Sequence, residues 1–263
     1  MINSVWEFPK FNTKFFFSKR NKYCLCIPVI NEGKRIVDEL KKIHDLSIDK
    51  SIDVIICDGG SDDGSIDDDF LMKTGVRSKL VKTGPGKLSA QLRMGYCYAM
   101  SEGYEGVVTI DGNNKDSVEN IPDFISALDD GFDFVQGSRF VFPGRPINNP
   151  LFRILAIRLM HAPLISILAN FKYTDTTNGF RAYSKKIFLD NKIGIFRNIF
   201  SGYELLPYLS VRIPRLGYRV KEIGVFRTYS VGLKIPTKIH GFKGNFELLR
   251  ILFRLFFNKY NPN

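Results

Sequence analysis

Apolar runs of strand length alternate with helical patterns along the first half of the chain. Residues 23–30 (YCLCIPVI) and 52–57 (IDVIIC) predict two buried strands, and residues 31–46 between them carry apolar side chains at helical spacing. Strands that alternate with helices in this way form parallel sheets with crossover helices on their faces. The alternation therefore restricts the chain to an α/β fold whose strands end along a common sheet edge.

The same alternation continues to residue 137. Further strands are predicted at 79–82, 106–111 and 133–137, and further helices at 62–75 (in part), 88–102 and 120–129. The 263 residues are 44% hydrophobic and 25% charged, which excludes a disordered, collagen-like or coiled-coil protein. The expected fold class is α/β, with a mostly parallel central sheet flanked by helices.

Polar loops follow three of the predicted strands. They are Asn31-Glu32, Asp58–Ser65 and Asp111–Asp116, each directly after an apolar run. In open α/β sheets, ligands bind beyond the carboxyl ends of the strands. We therefore expect these loops to meet and to form the functional site.

The loop with the clearest chemistry is Asp111-Gly112-Asn113. A carboxylate at a strand end can hold a divalent cation against a diphosphate, and Gly112 allows the backbone to approach it. On its own this triplet is more typical of a turn, because Asp and Asn both favour turns. Two phosphate-binding motifs are excluded: no G-x-G-x-x-G follows the first strand, and the GPGK stretch at 84–87 lacks the other residues of a P-loop.

The net charge of +11 is unevenly distributed. Residues 1–135 hold 17 Lys/Arg and 22 Asp/Glu, a net charge of −5, whereas residues 136–263 hold 21 Lys/Arg and 5 Asp/Glu, a net charge of +16. Such an asymmetry indicates an anionic partner for the second part, either nucleic acid or a membrane.

Two segments of the basic part are strongly apolar, but neither has the 18 uninterrupted apolar residues that a membrane span needs. Residues 151–171 are interrupted by two arginines, a histidine and a proline, and residues 242–257 carry four charged side chains at steps of 4, 3 and 4. We expect either helices docked on the domain or interfacial helices with their cations toward anionic lipid. Cations interleaved with apolar runs suit a membrane surface better than a nucleic-acid groove, so no nucleic-acid partner is expected.

The ends and the cysteines indicate a compartment. No secretory signal is expected, because Phe15-Phe16-Phe17 is too short for the apolar core of a signal peptide. Cys24, Cys26, Cys57 and Cys97 lack the spacing of a metal site and are expected to be buried thiols in a reducing compartment. We therefore expect a peripheral protein on the cytoplasmic face of a membrane.

Five motifs in a fixed order carry a family resemblance. They are Pro28–Glu32, Asp58–Ser65, Asp111–Asn113, Gly137–Arg139 and Asp175–Arg181. Together, over residues 23–230, they resemble the family 2 glycosyltransferases of the GT-A fold, and most closely the dolichyl- or polyprenyl-phosphate sugar synthases.

The resemblance, which covers residues 23–230, and the charge pattern together predict how the chain is organised. The expected parts are an N-terminal extension (1–22), a GT-A domain (23–230) with a nucleotide-sugar half (23–135) and an acceptor half (136–230), and a basic amphipathic segment that faces the membrane (231–263).

The resemblance also implies roles for particular residues. The nucleotide-sugar would be bound by Pro28, Asn31, Glu32, Asp58, Gly60, Ser61, Asp63, Lys87, Gly112 and Ser138. The catalytic group would consist of Asp111, Arg139, Asp175, Arg181 and Glu204, with both arginines facing the sugar and the acceptor. Asp111 and Asn113 would bind Mg²⁺ or Mn²⁺ on the diphosphate. The departing nucleoside diphosphate develops negative charge, which a metal ion and guanidinium groups stabilise.

The sequence departs from the family pattern at two points. Asn113 stands where the usual D-x-D motif has its second Asp, and its neutral carbonyl is a weaker ligand, so metal dependence is less firmly implied. The C-terminal membrane spans of some relatives are missing, so the expected membrane attachment is peripheral.

The sequence leaves several functions open. The leading expectation is an inverting transfer from a GDP- or UDP-sugar to a polyprenyl phosphate, which is already an anionic nucleophile and needs no general base. The alternative acceptor is a hydroxyl of a lipid-linked saccharide in cell-surface polysaccharide assembly, for which Glu204 or Asp175 would be the base. A non-catalytic sugar-nucleotide-binding module and a nucleic-acid-binding protein are further alternatives.

Overall fold

The computed structural model describes residues 6–229 and 241–262, and in the last helix it describes side chains from residue 249 onward. The strands are β1 (Phe11–Phe15), β2 (Tyr23–Val29), β3 (Asp53–Asp58), β4 (Val76–Lys82), β5 (Gly106–Thr109), β6 (Phe134–Ser138), β7 (Arg145–Ile147), β8 (Arg181–Ser184), β9 (Val220–Gly224) and β10 (Phe226–Thr228). The helices are α1 (Lys34–Asp45), α2 (Asp68–Lys73), α3 (Leu88–Ser101), α4 (Ile121–Asp129), α5 (Leu151–Ala156), α6 (Ala162–Ala169), α7 (Lys185–Leu189), α8 (Leu205–Arg215) and α9 (Gly241–Phe256).

Eight strands form the central sheet in the order β1-β4-β3-β2-β5-β8-β6-β9. Each neighbouring pair is parallel except those that involve β1 at the edge or β8 in the interior. The prediction of a mostly parallel sheet flanked by helices is confirmed. A second, two-stranded parallel sheet pairs β7 with β10.

The strands are apolar on both faces because helices cover both faces of the sheet. In β2, Leu25 and Ile27 face the core formed with α1 and α4, whereas Cys24 and Cys26 face the core formed with α3 and α8. All four cysteines are buried and free, as expected from the sequence. The sheet therefore lies between two hydrophobic cores, and its polar groups are concentrated at the strand ends.

The structure places several boundaries differently from the sequence prediction. The strand predicted at 106–111 ends at Thr109, so Asp111 lies in a loop, and the region 62–75 is helical only at Asp68–Lys73. Residues 11–15, in the predicted extension, form β1 and pair antiparallel with β4. Both predicted halves of the domain share one sheet, because β8 lies between β5 and β6.

The first apolar segment of the basic part is a 19-residue helix, residues 151–169, in which a π-helical turn (Ile157–His161) joins α5 to α6. This helix is long and apolar enough to span a membrane by length and composition alone, although the interrupted sequence predicted no span. Both α6 and α9 pack against α8. In the predicted segment 231–263, residues 231–240 and the side chains of 241–248 lie outside the described part.

Candidate functional site

Three polar loops meet at one edge of the sheet, because β3, β2 and β5 are neighbours and run in the same direction. Hydrogen bonds join the first two loops. The Asn31 amide donates to Ser61 Oγ (3.1 Å), the Asp62 amide donates to Asn31 Oδ1 (3.0 Å), and the Gly33 amide donates to Asp63 Oδ2 (2.8 Å). Three residues predicted to bind the nucleotide therefore fix the shape of the two loops.

Asp58 shapes the turn that follows β3. Its Oδ1 accepts hydrogen bonds from the Gly60 amide (3.1 Å), the Ser61 amide (2.8 Å) and Ser61 Oγ (2.7 Å). Gly60 has φ +99°, a conformation that side chains rarely adopt, so the turn requires a glycine at this position. The buried Asp58 carboxylate thus fixes the conformation of this turn through its hydrogen bonds.

A cleft of about 520 Å³ opens at this edge of the sheet. It is lined by Pro28, Val29, Ile30, Glu32, Arg35, Gly59, Lys82, Gly86, Lys87, Leu88, Gln91, Asp111, Gly112, Asn113, Arg153, Thr177, Gly179, Tyr203, Leu206 and Arg227. Six residues predicted to bind the donor or the metal are in this lining, namely Pro28, Glu32, Lys87, Asp111, Gly112 and Asn113. The other predicted site residues do not line the cleft.

Gln91 on α3 was not predicted from the sequence. Its buried side-chain amide donates to the carbonyl oxygens of Val29 (2.9 Å) and Cys57 (3.0 Å), near the ends of β2 and β3. A Cβ atom at Gly59 would lie 2.8 Å from the Gln91 nitrogen, so this contact depends on the glycine. Gln91 is one of several polar residues on α3, so no local pattern in the sequence identified it.

Asp111 projects into the cleft, with 28% of its side chain exposed. The backbone of Gly179 packs directly against its carboxylate, where a Cβ atom would overlap Oδ1. On the other side, Arg227 Nη2 donates to Asp111 Oδ2 at 3.2 Å. These two neighbours fix the direction of the carboxylate.

Arg227 is a second residue that the sequence analysis missed. Its guanidinium group is buried and also pairs with the buried carboxylate of Asp116. Burial by itself would lower the pKa of Arg227, but the carboxylates of Asp116 and Asp111 hold that pKa well above its ordinary value. The arginine lies 116 residues after Asp111 in a short strand without a motif, so no local pattern identified it.

Asn113 is suited to bind a cation together with Asp111. Its Oδ1 is buried and has no hydrogen-bond partner in the described structure, and an unpaired buried carbonyl oxygen is costly unless a ligand satisfies it. Mg²⁺ is usually held by one or two protein oxygens together with substrate phosphates. No group of three His, Cys, Asp or Glu among the described residues could hold a metal alone. The donor set therefore fits a cation that shares its coordination with a diphosphate.

Arg139 and Asp175 form a buried ion pair behind the cleft wall. Arg139 donates from Nε to Oδ2 (2.6 Å) and from Nη2 to Oδ1 (2.9 Å), and Nη2 also reaches the Thr177 hydroxyl. Burial would raise the pKa of Asp175, but Arg139 and the Thr177 amide lower it below its usual value. The pair thus positions Thr177, which lines the cleft. Ser138 is also buried, with its hydroxyl 2.5 Å from that of Thr174.

The structure corrects the expectation that Arg139 and Arg181 face the sugar. Arg181 is 1% exposed, and it donates to the carbonyl oxygens of Asn178 (3.0 Å), Leu206 (2.8 Å) and Thr176 (3.0 Å). These bonds occupy a guanidinium group that the resemblance assigned to the substrate. Arg181 instead holds the loop before β8 against α8.

Glu204 also lies outside the cleft lining. Its Oε2 accepts a hydrogen bond from the Gly202 amide at 2.8 Å, which closes the turn before α8. The adjacent Tyr203 and the following Leu206 line the cleft instead. The described geometry therefore brings neither Glu204 nor Asp175 into the position of a general base.

Two arginines, Arg153 and Arg227, line the cleft, and a tyrosine lies beside Arg153. Arg153 Nη1 donates to the Tyr229 hydroxyl at 2.7 Å, and Lys115 Nζ lies 4.8 Å from the centre of the Tyr229 ring. Burial would raise the pKa of Tyr229, but Arg227 and Arg153 lower it below its ordinary value. The lowered pKa of Tyr229 thus reflects the two guanidinium groups, both of which line the cleft.

The fold is that of the GT-A glycosyltransferases, as the sequence motifs predicted. No protein-family model matches the chain. It is similar to the polyprenol monophosphomannose synthase of Mycolicibacterium smegmatis (25% identity over 76% of this chain and 74% of the relative). It is also similar to the undecaprenyl-phosphate mannosyltransferase of Micrococcus luteus, at 26% identity over 76% of this chain and 80% of the relative. The dolichol-phosphate mannosyltransferase of Pyrococcus furiosus is 24% identical over 89% of this chain and 63% of the relative. These relatives confirm the resemblance to polyprenyl-phosphate sugar synthases.

Solved structures share the fold at low sequence identity. Glucosyl-3-phosphoglycerate synthase from Mycobacterium tuberculosis, in a complex with Mn²⁺, UDP-glucose and phosphoglyceric acid, matches with a TM-score of 0.62 at 17% identity over 92% of this chain and 80% of the other. Mannosyl-3-phosphoglycerate synthase from Rubrobacter xylanophilus matches with a TM-score of 0.60 at 12% identity over 90% and 73%.

Proposed function

We propose that this protein is an inverting glycosyltransferase that moves a sugar from a nucleotide-sugar to a polyprenyl phosphate. The observation that carries the proposal is the arrangement of the cleft. Asp111 and Asn113 lie in the same cleft as Arg153, and Arg153 belongs to a helix whose outer face is apolar and exposed. A cleft with features suited to a diphosphate and to a second phosphate is thus joined, through Arg153, to a helix suited to a lipid surface.

The donor would bind over the ends of β3, β2 and β5. Pro28, Glu32, Lys87 and Gly112 would contact it directly, whereas Asp58, Asn31, Ser61 and Asp63 would hold the loops that form its pocket. The three curated relatives are named for mannose transfer, so GDP-mannose is the first donor to test. UDP-sugars are the second, since a neighbour of similar fold was crystallised with UDP-glucose.

Asp111 and Asn113 would hold Mg²⁺ or Mn²⁺ against the donor diphosphate, where the metal would neutralise the charge of the leaving group. The unpaired Oδ1 of Asn113 supports this assignment. Arg227 is next to Asp111 and would keep the carboxylate oriented toward the diphosphate. The buried pair of Arg139 and Asp175 would act through Thr177.

A phosphate acceptor fits the cleft better than a hydroxyl acceptor. Arg153, which lines the cleft, supplies a cation that would orient a phosphate oxygen for attack on the anomeric carbon, and such an oxygen needs no proton removed. A hydroxyl would need a base, but Glu204 bonds its own turn and Asp175 is paired with Arg139. These contacts support the polyprenyl phosphate as acceptor.

The helix of residues 151–169 would rest on the membrane rather than cross it. Its outer face exposes Leu151, Phe152, Leu155, Leu159, Met160 and Ile167, each by at least 48%. Its inner face packs on the domain through Ile157, Ala162 and Ile165, which are buried. A helix that packs on the domain from Ile157 onward and carries Arg153 and Arg158 suits the interface of an anionic membrane. The buried free cysteines favour the cytoplasmic face.

The test is a transfer assay with radiolabelled GDP-mannose, GDP-glucose, UDP-glucose and UDP-N-acetylglucosamine, each with undecaprenyl phosphate or dolichyl phosphate and with Mg²⁺ or Mn²⁺. We expect one donor to label the lipid phosphate, and the Asp111→Ala variant to lose the activity by at least a hundredfold. The Glu204→Gln variant should keep most of it, since a phosphate acceptor needs no base. Transfer only to a lipid-linked saccharide, abolished by Glu204→Gln, would replace this proposal with the hydroxyl alternative.

A further inference from the structure

A carboxylate lies where the helical pattern of α1 calls for an apolar residue. Glu39 is 0% exposed, among Ile36, Leu40 and Ile43 on the inner side of the helix. Burying a charged carboxylate is costly unless its hydrogen bonds are satisfied. Its Oε1 has no hydrogen-bond partner in the described structure, so this residue stabilises the core less than an aliphatic residue would.

The other oxygen of Glu39 reaches the candidate metal-binding loop. Oε2 accepts a hydrogen bond from the backbone amide of Asn114 at 2.6 Å, 75 residues away in sequence. Asn114 has φ +52°, in the left-handed region, and its Oδ1 accepts a hydrogen bond from Lys42 Nζ at 3.2 Å. Two side chains of α1 therefore hold the residue that directly follows Asn113.

We propose that Glu39 is a positioning residue that fixes the turn after β5, so that Asp111 and Asn113 present their oxygens to a cation and a diphosphate. The inference rests on the proposed function, since it concerns the same site. Residues that orient metal ligands without touching the metal commonly change metal affinity by 10–100-fold when they are replaced. A non-glycine residue in the left-handed region, such as Asn114, keeps that conformation only when its surroundings hold it, and the hydrogen bond from its amide to Glu39 does so.

The test compares Glu39→Leu with Glu39→Gln. Leucine fits the apolar face but cannot accept the hydrogen bond, whereas the glutamine amide oxygen can. Mn²⁺ is titrated into each protein with GDP or UDP, and free Mn²⁺ is followed by electron paramagnetic resonance, so the readout does not depend on turnover. We expect Glu39→Leu to weaken Mn²⁺–nucleotide binding at least tenfold, and Glu39→Gln to stay within about threefold of the wild type.

Thermal unfolding without ligand separates positioning from stability. Asp53→Asn is the matched control, because Asp53 is also buried and accepts hydrogen bonds, but lies at the start of β3, at the opposite edge of the sheet. It should lower the Tm and leave the binding constant unchanged. If Glu39→Leu does not fold, Glu39→Met fills the same space with a more adaptable side chain.

The outcomes distinguish the inference from the function on which it rests. Wild-type binding in Glu39→Leu, or equal losses in the Leu and Gln variants, would overturn the role of Glu39 while leaving the proposed function intact. Absence of Mn²⁺-dependent binding of either nucleotide to the wild-type protein would overturn both.

Discussion

At the scale of single residues, the cleft depends on contacts between positions far apart in the sequence. Asp111 and Asn113 could be predicted because an acidic turn after an apolar strand is a local pattern. Gln91, Arg227 and Glu39 could not, because each acts through a partner between 34 and 116 residues away. The same reason explains Arg181, whose motif was visible in the sequence but whose burial was not.

Gly179 gives the sharpest prediction at this scale. An added Cβ would overlap Asp111 Oδ1, so Gly179→Ala must displace either the carboxylate or the backbone beside it. We expect Mn²⁺–nucleotide binding to weaken by more than tenfold, with a smaller change in Tm. Isothermal titration calorimetry and thermal unfolding measure the two effects.

The control for this substitution is Gly217→Ala, at the end of α8. Gly217 has φ +82° and open space around it, so alanine should cost about 1 kcal/mol of stability through backbone strain alone. Nucleotide binding should be unchanged. Equal losses of binding in both variants would show that a general loss of stability, and not Asp111, explains the result.

At the scale of helices and strands, periodicity predicted most of the central elements. The buried runs of β2 and β3 and the helical spacing of α1 are strong local signals. β1 was missed because Phe11–Phe15 has three polar residues in a row between its two phenylalanines and so lacks the pattern of a strand; its pairing with β4 makes it one. The π-helical turn at Ile157–His161 was not predicted from the sequence either.

His161 in that turn connects the apolar helix to the loop behind the cleft. Its Nδ1 lies 2.6 Å from the Thr176 hydroxyl. Burial lowers the pKa of His161 from 6.5 to about 4, and Arg181 adds to the effect. The unfolded chain therefore takes up a proton near pH 6.5, whereas the folded protein does so only near pH 4. The contribution of His161 to the free energy of unfolding should therefore be fully present above pH 6.5 and should be lost as the pH decreases toward 4.

Because each unit of pKa difference corresponds to about 1.4 kcal/mol, His161 should account for a loss of about 2 to 3 kcal/mol of unfolding free energy between pH 7 and pH 4.5. His161→Gln keeps a polar contact to Thr176 and removes the titration. Urea unfolding of both proteins at the two pH values should show a smaller loss of unfolding free energy in the variant by that amount. Parallel pH dependences would mean that His161 titrates normally in the folded protein.

At the scale of the whole molecule, charge is distributed differently from what the sequence suggested. The halves with net charges of −5 and +16 share one sheet, and the cleft takes cations from both, among them Arg35 and Arg153. Arg153 and Arg158 lie over aromatic rings, and Arg250 is exposed. The positive charge of these helices thus lies beside exposed apolar surface. The sequence shows that both kinds of residue occur in one segment, but only the structure shows which side chains are exposed.

This combination predicts binding to anionic membranes. Leu159 and Ile167 are 71% and 78% exposed on the helix of residues 151–169, and burial of each in lipid would contribute about 1.5–3 kcal/mol. The double variant Leu159→Glu, Ile167→Glu should therefore bind vesicles of phosphatidylglycerol at least tenfold more weakly than the wild type. Sedimentation with these vesicles, and with phosphatidylcholine vesicles as the uncharged comparison, measures the effect.

The matched control is Leu46→Glu, at the end of α1, where the leucine is 51% exposed and far along the chain from the apolar helix. This variant should bind vesicles as the wild type does, and all three proteins should have the same Tm and nucleotide affinity. Undiminished vesicle binding by the double variant would exclude this helix as the membrane contact. Steeply salt-dependent binding to DNA or RNA, with no binding to vesicles, would instead assign the basic surface to nucleic acid. Such a salt dependence is expected when cations of a protein displace counterions from a nucleic-acid backbone.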